Sequence, residues 1–282
     1  LLAGGPSEDG FAVGMSSPGS ISVGNVTADE AIGFATLANL TTGNLNAGTD
    51  VMTLIGGNTT IASITTPGTG RTYHGDAQMF LNAGGSDNFD PNLVFNATPL
   101  RSGGSYTVTG AISTGRIQVG AATMSTAAIT APIGIYLDSA TATATGALTS
   151  NGLIHALSGG SIQTGNVSSS GANILMDATT NIVTGTVGAA TDAAFDAGGN
   201  LTIGNANLGG SLLANAGGNL TTGAVVADVI DATAGGLATL TFMLQAPFAG
   251  VKPGLASNGP TVLLPLLATA VVARMESLPI AF

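Results

Sequence analysis

Four side chains capable of chemistry crowd into six residues, Arg71, Tyr73, His74 and Asp76, within the stretch PGTGRTYHGD. A cation, a phenol, an imidazole and a carboxylate this close together could grip a ligand or move a proton. The Pro and Gly residues around them mark 67–76 as a loop. This is the candidate binding loop of the chain. The plainer alternative is a solvated loop, because no second His and no nucleophile stands near His74 in sequence. His155, in GLIHALSGG, reads as a tolerated or hydrogen-bonded strand residue rather than as a ligand.

The acids invite a different comparison. Asp138, Asp177, Asp196 and Asp231 could be set against the carboxylate clusters of β-helical polysaccharide enzymes, which need neighbouring acids to share general acid and base roles or to hold a metal. Asp177 and Asp196 fall at one place in a repeating unit, where Asn215 follows. Stacked about 5 Å apart, they would attract a cation such as Ca²⁺. Their contexts, DATTN, DAGGN and NAGGN, favour turn formation over metal binding. The Ca²⁺-binding nonapeptide GGxGxDxUx does not occur. Asp87 and Asp90, in SDNFDPN, read as an acidic turn before Pro91. No P-loop, HExxH, GxSxG or strand-to-helix GxGxxG is present. No catalytic residue, metal site or cofactor is therefore assigned, and Ca²⁺ is the one ion that the turn acids suggest.

Composition narrows the classes further. Fifteen acids stand against five bases, and no Lys/Arg cluster exists to neutralise phosphates, which argues against nucleic acid as a partner. With no Cys, disulfides, thiolate catalysis and Cys-based zinc sites are excluded. The chain has 43 Gly and no Trp, yet 44% of its residues are hydrophobic, enough to bury a core. The most apolar stretch, TVLLPLLATAVVA at 261–273, contains Pro265. It is too short to cross a membrane. The chain starts without Met, so we read it as a segment of something longer.

What must position these residues is a repeat. AGGNLT occurs at 197–202 and again at 216–221. Units start at Asn219 (NLTTGAV), Asn200 (NLTIGNA), Asn181 (NIVTGTV), Ser161, Ala142 and Thr123, and near the N-terminus at Ser20, Asn39 and Asn58, in steps of nineteen or twenty. Second place is usually Ile or Leu, fourth Thr, Val or Ile, fifth Gly and seventh Val, Leu or Ile. Second and fourth share a strand face because side chains alternate. Gly at fifth lets the chain bend without a Cβ clash. One unit cannot bury its apolar face alone, whereas stacked units can. The prediction is an all-β fold, a right-handed parallel β-helix of about twelve coils of about nineteen residues. At ~4.8 Å per coil it would make a rod ~55–60 Å long. Asn181, Asn200 and Asn219 should stack as a hydrogen-bonded ladder.

The frame is lost between Asn58 and Thr123. Three units plus a small insertion at 67–76 would fill the gap. LNAGG at 81–85 and SYTV at 105–108 are the candidate remnants of coils there. The organisation read this way is a lead-in or partial coil at 1–18, a repeat domain at 19–240 and an atypical tail at 241–282. That tail is a cap over the last coil, another domain or out-of-frame sequence.

GGNLTTG, GSISVGNVTA and the stretch at 197–223 resemble the repeat regions of large bacterial exoproteins of the filamentous haemagglutinin type. The likeness covers roughly 19–240. It implies a secreted or cell-surface β-helical stalk, often an adhesin exported through an outer-membrane partner. The expected function is thus structural and adhesive, without catalysis. Its target would be a host or abiotic surface or a carbohydrate, and no membrane span is expected. Two alternatives stand beside it: a β-helical polysaccharide lyase or hydrolase, and a surface-binding solenoid that uses rows of Thr.

Overall fold

The computed structural model describes residues 2–3, 11–78 and 99–242. The tail beyond 242, the LNAGG segment, Asp87 and Asp90 lie outside the described residues. Within them the chain is all-β, a parallel solenoid of about 11 turns at nineteen-residue spacing. Each turn carries three short strands, so the column has three faces. The first face holds the NLTTG-type segments, such as Ile182–Thr184 and Leu201–Ile203. The second holds the seventh-place segments, such as Val187–Ala189 and Ala206–Leu208. The third holds the second half of each unit, such as Ala193–Ala197 and Ser211–Ala216.

The register shows why the period is nearly constant. On the first face Ile162, Ile182, Leu201 and Leu220 pair in sequence. On the second, Val167, Val187, Ala206 and Val225 do the same. All eight point into one continuous core. A slip of one residue would turn each inward side chain to solvent. The third face adjusts volume between coils. Ile174, Ala193 and Leu212 stack in one inward file and Met176, Phe195 and Ala214 in the next. The coil with the small Ala193 carries the large Phe195, and the coil with Leu212 carries the small Ala214. Paired compensation of this kind keeps a narrow core filled. Of the two leucines at 212 and 213, Leu212 is buried and Leu213 is exposed.

The Asn ladder exists, with different chemistry from that expected. Asn181, Asn200 and Asn219 do stack, but their side chains bond to backbone rather than to each other. Asn181 Oδ1 accepts the N–H of Asn200, and Asn200 Oδ1 accepts that of Asn219, both at 2.8 Å. Asn39 does the same for Asn58, Asn25 for Asn44 and Asn205 for Ala224. Strand pairing lapses at these corners, and the side-chain oxygen satisfies an N–H that would otherwise be left over. A glycine precedes each of the donating N–H groups. A Cβ on Gly57, Gly199, Gly218 or Gly236 would meet the ladder oxygen of the coil below at 2.4–2.6 Å. The GGN motif is therefore one device: the Asn reaches up, and the next coil's Gly leaves room for it.

The gap in the frame resolves differently from the sequence reading. Arg71–Gly75 is not an insertion loop but a third-face strand, paired with Val51–Ile55 and with Arg116–Thr126. Ser105–Val108 is a coil strand as expected, lying on the first face between Thr59–Thr65 and the strand above it. Only two coils separate Asn58 from Thr123, and the extra residues lie between Gly75 and Ser105. The chain re-enters over the outside of the third face. Asp76 N–H donates to Leu100 O at 2.9 Å, and Leu100 O lies over Gly75 and Gly120. On this face the outward Met52, Leu54 and Tyr73 are buried. RTYHG looks like a loop because both of its faces, not one, are covered here.

Candidate functional site

The strand Arg71–Gly75 separates the four side chains of the expected binding loop. Arg71 clips a corner: its Nη2 is 2.7 Å from Asp50 Oδ2, and its backbone N–H donates to Asp50 Oδ1 at 2.7 Å. Asp76 Oδ1 accepts the N–H of Gln78, closing a local turn. Tyr73 and His74 are both fully buried, Tyr73 on the outer side of the strand and His74 inside the column.

His74 sits in a polar pocket of the core. Its Nδ1 is 2.9 Å from Thr53 Oγ1, and its Nε2 is 3.1 Å from Ser102 Oγ. Thr53 Oγ1 donates to Tyr73 O, so the network assigns the ring proton to Nδ1 and makes Nε2 the acceptor. The ring stands 4.4 Å from that of Tyr106. Burial pushes the His74 pKa down to about 3, so the imidazole is neutral. Ser102 beside an imidazole has the makings of a nucleophile and base. Both side chains are buried. The pair holds the re-entering chain to the column.

A second group of titratable side chains lies outside, on the third face. Tyr136 and Asp138 belong to Gly134–Thr145, His155 to Ile154–Ser158 and Asp177 to Ile174–Ala178. Tyr136 pairs with His155 in the next coil, and their rings meet edge to face at 5.3 Å. Asp138 pairs with Leu157, and Leu157 with Asp177. Arg101, at the end of the crossing segment, binds Asp138 through Nη2 at 2.6 Å and Nε at 3.0 Å. The hydrogen bond to Asp138 holds the Arg101 pKa up. Burial lowers the His155 pKa, with Asp177 and Asp138 pulling the other way. Burial, followed by the Asp138 charge, raises that of Tyr136. The group therefore offers an imidazole flanked by two carboxylates, a phenol and a guanidinium.

Half of this site is visible in the sequence: Asp138 and Asp177 among its acids, His155 in a coil, and Tyr136 one period before His155. Arg101 joins from 37 positions away, which no spacing announces. Asp177 and Asp196 do stack, with Asn215 above them, on the outer face of strands rather than in turns. Asn215 Nδ2 donates to Asp196 Oδ1 at 3.2 Å. Asp231 lies on the outer face of Val229–Ala234, paired with Leu213. Among the described residues no three His, Cys, Asp or Glu side chains are grouped to hold a metal ion, and no helix is long and apolar enough to cross a membrane. Comparison with protein-family models, curated proteins and solved structures found no match.

Proposed function

We propose that this chain is a length of rod: a structural and adhesive β-solenoid from a secreted bacterial surface protein. The carrying observation is how the polar corner groups are used. Side chains at the turns bond to the next coil's backbone, as Asn39, Asn181 and Asn200 do, so each turn serves the stacking of its neighbours. A column of this kind gives reach and stiffness, with outward residues left over for contact. Kinship with the haemagglutinin-type exoproteins belongs to the same proposal, supported by coil length and the GGNLTTG-type units. The test is to display the segment on a bacterium that lacks it and to score attachment to epithelial cells and abiotic surfaces. Attachment above that of the undecorated strain supports the reading; none on any surface overturns it.

A second reading has one observation in its favour. Arg101, Asp138, His155 and Asp177 converge on one sheet face, as a polysaccharide lyase or hydrolase would require. Here the assay is release of reducing or unsaturated ends from a panel of plant and bacterial polysaccharides. Activity lost in both His155→Gln and Asp177→Asn would establish it. No release from any polymer by the unaltered protein would dismiss it.

A further inference from the structure

On the second face the outward residues form a file running up the column. Thr65, Ser113, Thr130, Thr149 and Ser168 follow one another in register. The next member is Gly188, followed by Asn207. Most glycines here are required by the coil below, but Gly188 is not. A Cβ placed on it would meet only Ser168 Oγ, at 3.9 Å. The stacking would accept any strand residue at this point, and β-branched ones suit a strand better. What the glycine makes instead is a notch.

The notch is the floor of a groove of about 670 Å³ running across four coils. Asn166, Ser168, Thr186, Asn205 and Asn207 line it, and Ala224 and Val226 close one end. Two of the amides are held in place. Asn166 Oδ1 accepts the N–H of Thr186 at 3.0 Å, and Asn205 Oδ1 accepts that of Ala224 at 2.9 Å. Their Nδ2 groups have no protein partner among the described residues, so the groove presents donors that are already oriented.

The geometry points to a neutral oligosaccharide as the ligand of this groove, an inference that rests on the adhesive reading and names its ligand class. Among the described residues, no charged side chain lines the groove. The chain's net charge of −10 disfavours an anionic ligand, and no carboxylate is there to hold a cation. An apolar ligand would leave the amide and hydroxyl groups desolvated and unpaired. An extended peptide has no strand edge to join, because Val167–Ser169, Val187–Ala189 and Ala206–Leu208 are each paired on both sides. A neutral sugar offers hydroxyls to the amides and a CH-rich face to Ala224 and Val226.

The experiment is titration calorimetry with neutral gluco-, manno- and chito-oligosaccharides of three to six units, and with uronic-acid oligomers as the anionic arm. Gly188→Thr continues the hydroxyl file and fills the notch; Thr130→Val changes the same file outside the groove. The expected result is binding of at least one neutral series by the unaltered protein. Gly188→Thr should weaken it at least about tenfold, with a melting midpoint that does not fall, and Thr130→Val should not alter it. Absence of neutral binding, preference for the uronic acids, or equal binding by Gly188→Thr overturns the inference. Its failure is separable from that of the adhesive reading. Displayed segments that attach equally with and without Gly188→Thr leave adhesion standing and the groove wrong. Sugar binding in solution without attachment does the reverse.

Discussion

Asn200 Oδ1 accepts the backbone N–H of Asn219 at 2.8 Å, and it can do so because residue 218 is glycine. A Cβ there would lie 2.6 Å from the oxygen. Exceptions in the same chain show the dependence. Where Thr191 precedes Asp192, the bond from Asp192 N–H to Asn173 stretches to 3.4 Å, and the Thr191 hydroxyl takes the oxygen at 2.6 Å. Where Ala62 precedes Ser63, the hydroxyl of Ser63 reaches Asn44 Oδ1. Gly218→Ala should therefore destabilise the protein by about 1–3 kcal/mol through steric conflict. Gly188→Ala, in open space, should be neutral or stabilising by up to about 1 kcal/mol. Urea unfolding of the two variants side by side gives the comparison.

The ladder oxygen itself has a measurable share. Asn200→Ala should cost about 1 kcal/mol, the usual net worth of such a bond. Asn200→Asp should cost less, since Asp192 already accepts the N–H of Ser211 at 2.7 Å in the equivalent role. Equal losses in the two variants would show that the carbonyl oxygen is not what matters.

His74 should make stability fall in mild acid. Its pKa is about 3 in the folded protein against an ordinary 6.5, so the unfolded chain binds the proton more readily. The contribution is complete above about pH 6.5 and is lost as pH falls towards 3, with a slope of at most about 1.4 kcal/mol per pH unit. His74→Gln should flatten that part of the profile relative to the unaltered protein. Unfolding midpoints between pH 7 and pH 4 provide the check, and parallel profiles would contradict it.

Two buried hydroxyls should be dispensable. Thr42, Thr145 and Thr164, at fourth place, each donate to the carbonyl of the following glycine at 3.1 Å. Thr184 and Thr222 occupy the same place, but their Oγ1 atoms are buried without a partner. Thr222→Val should thus be neutral or stabilising, and Thr164→Val should cost about 1 kcal/mol. Thermal melts of the pair decide it.

The repeat was legible because its markers are steric. Gly before Asn and Ile or Leu two places on recur wherever one coil rests on an identical one. The strand Arg71–Gly75 was not legible, because outward residues signal a strand only when they face water, and Tyr73 is covered. The coil at Ser105–Val108 was legible as a slipped remnant of the frame, although it pairs at a first-face step of eighteen, as Tyr106 with Met124, and lacks the Gly–Asn marker. Of the outer cluster, His155 and Tyr136 share the period and could be read together. The Arg101–Asp138 contact depends on the path of the chain between Gly75 and Ser105, which composition does not encode.

Deleting one whole coil tests the central claim most directly. Removal of residues 200–218 joins Gly199 to Asn219, which already stands nineteen positions above Asn200. The expected result is a protein that still melts cooperatively and is shorter by about 4.8 Å in solution scattering. Removal of residues 200–209, half a coil, should abolish the cooperative transition. If both deletions unfold the protein, or if both leave it intact, the chain is not a column of interchangeable coils.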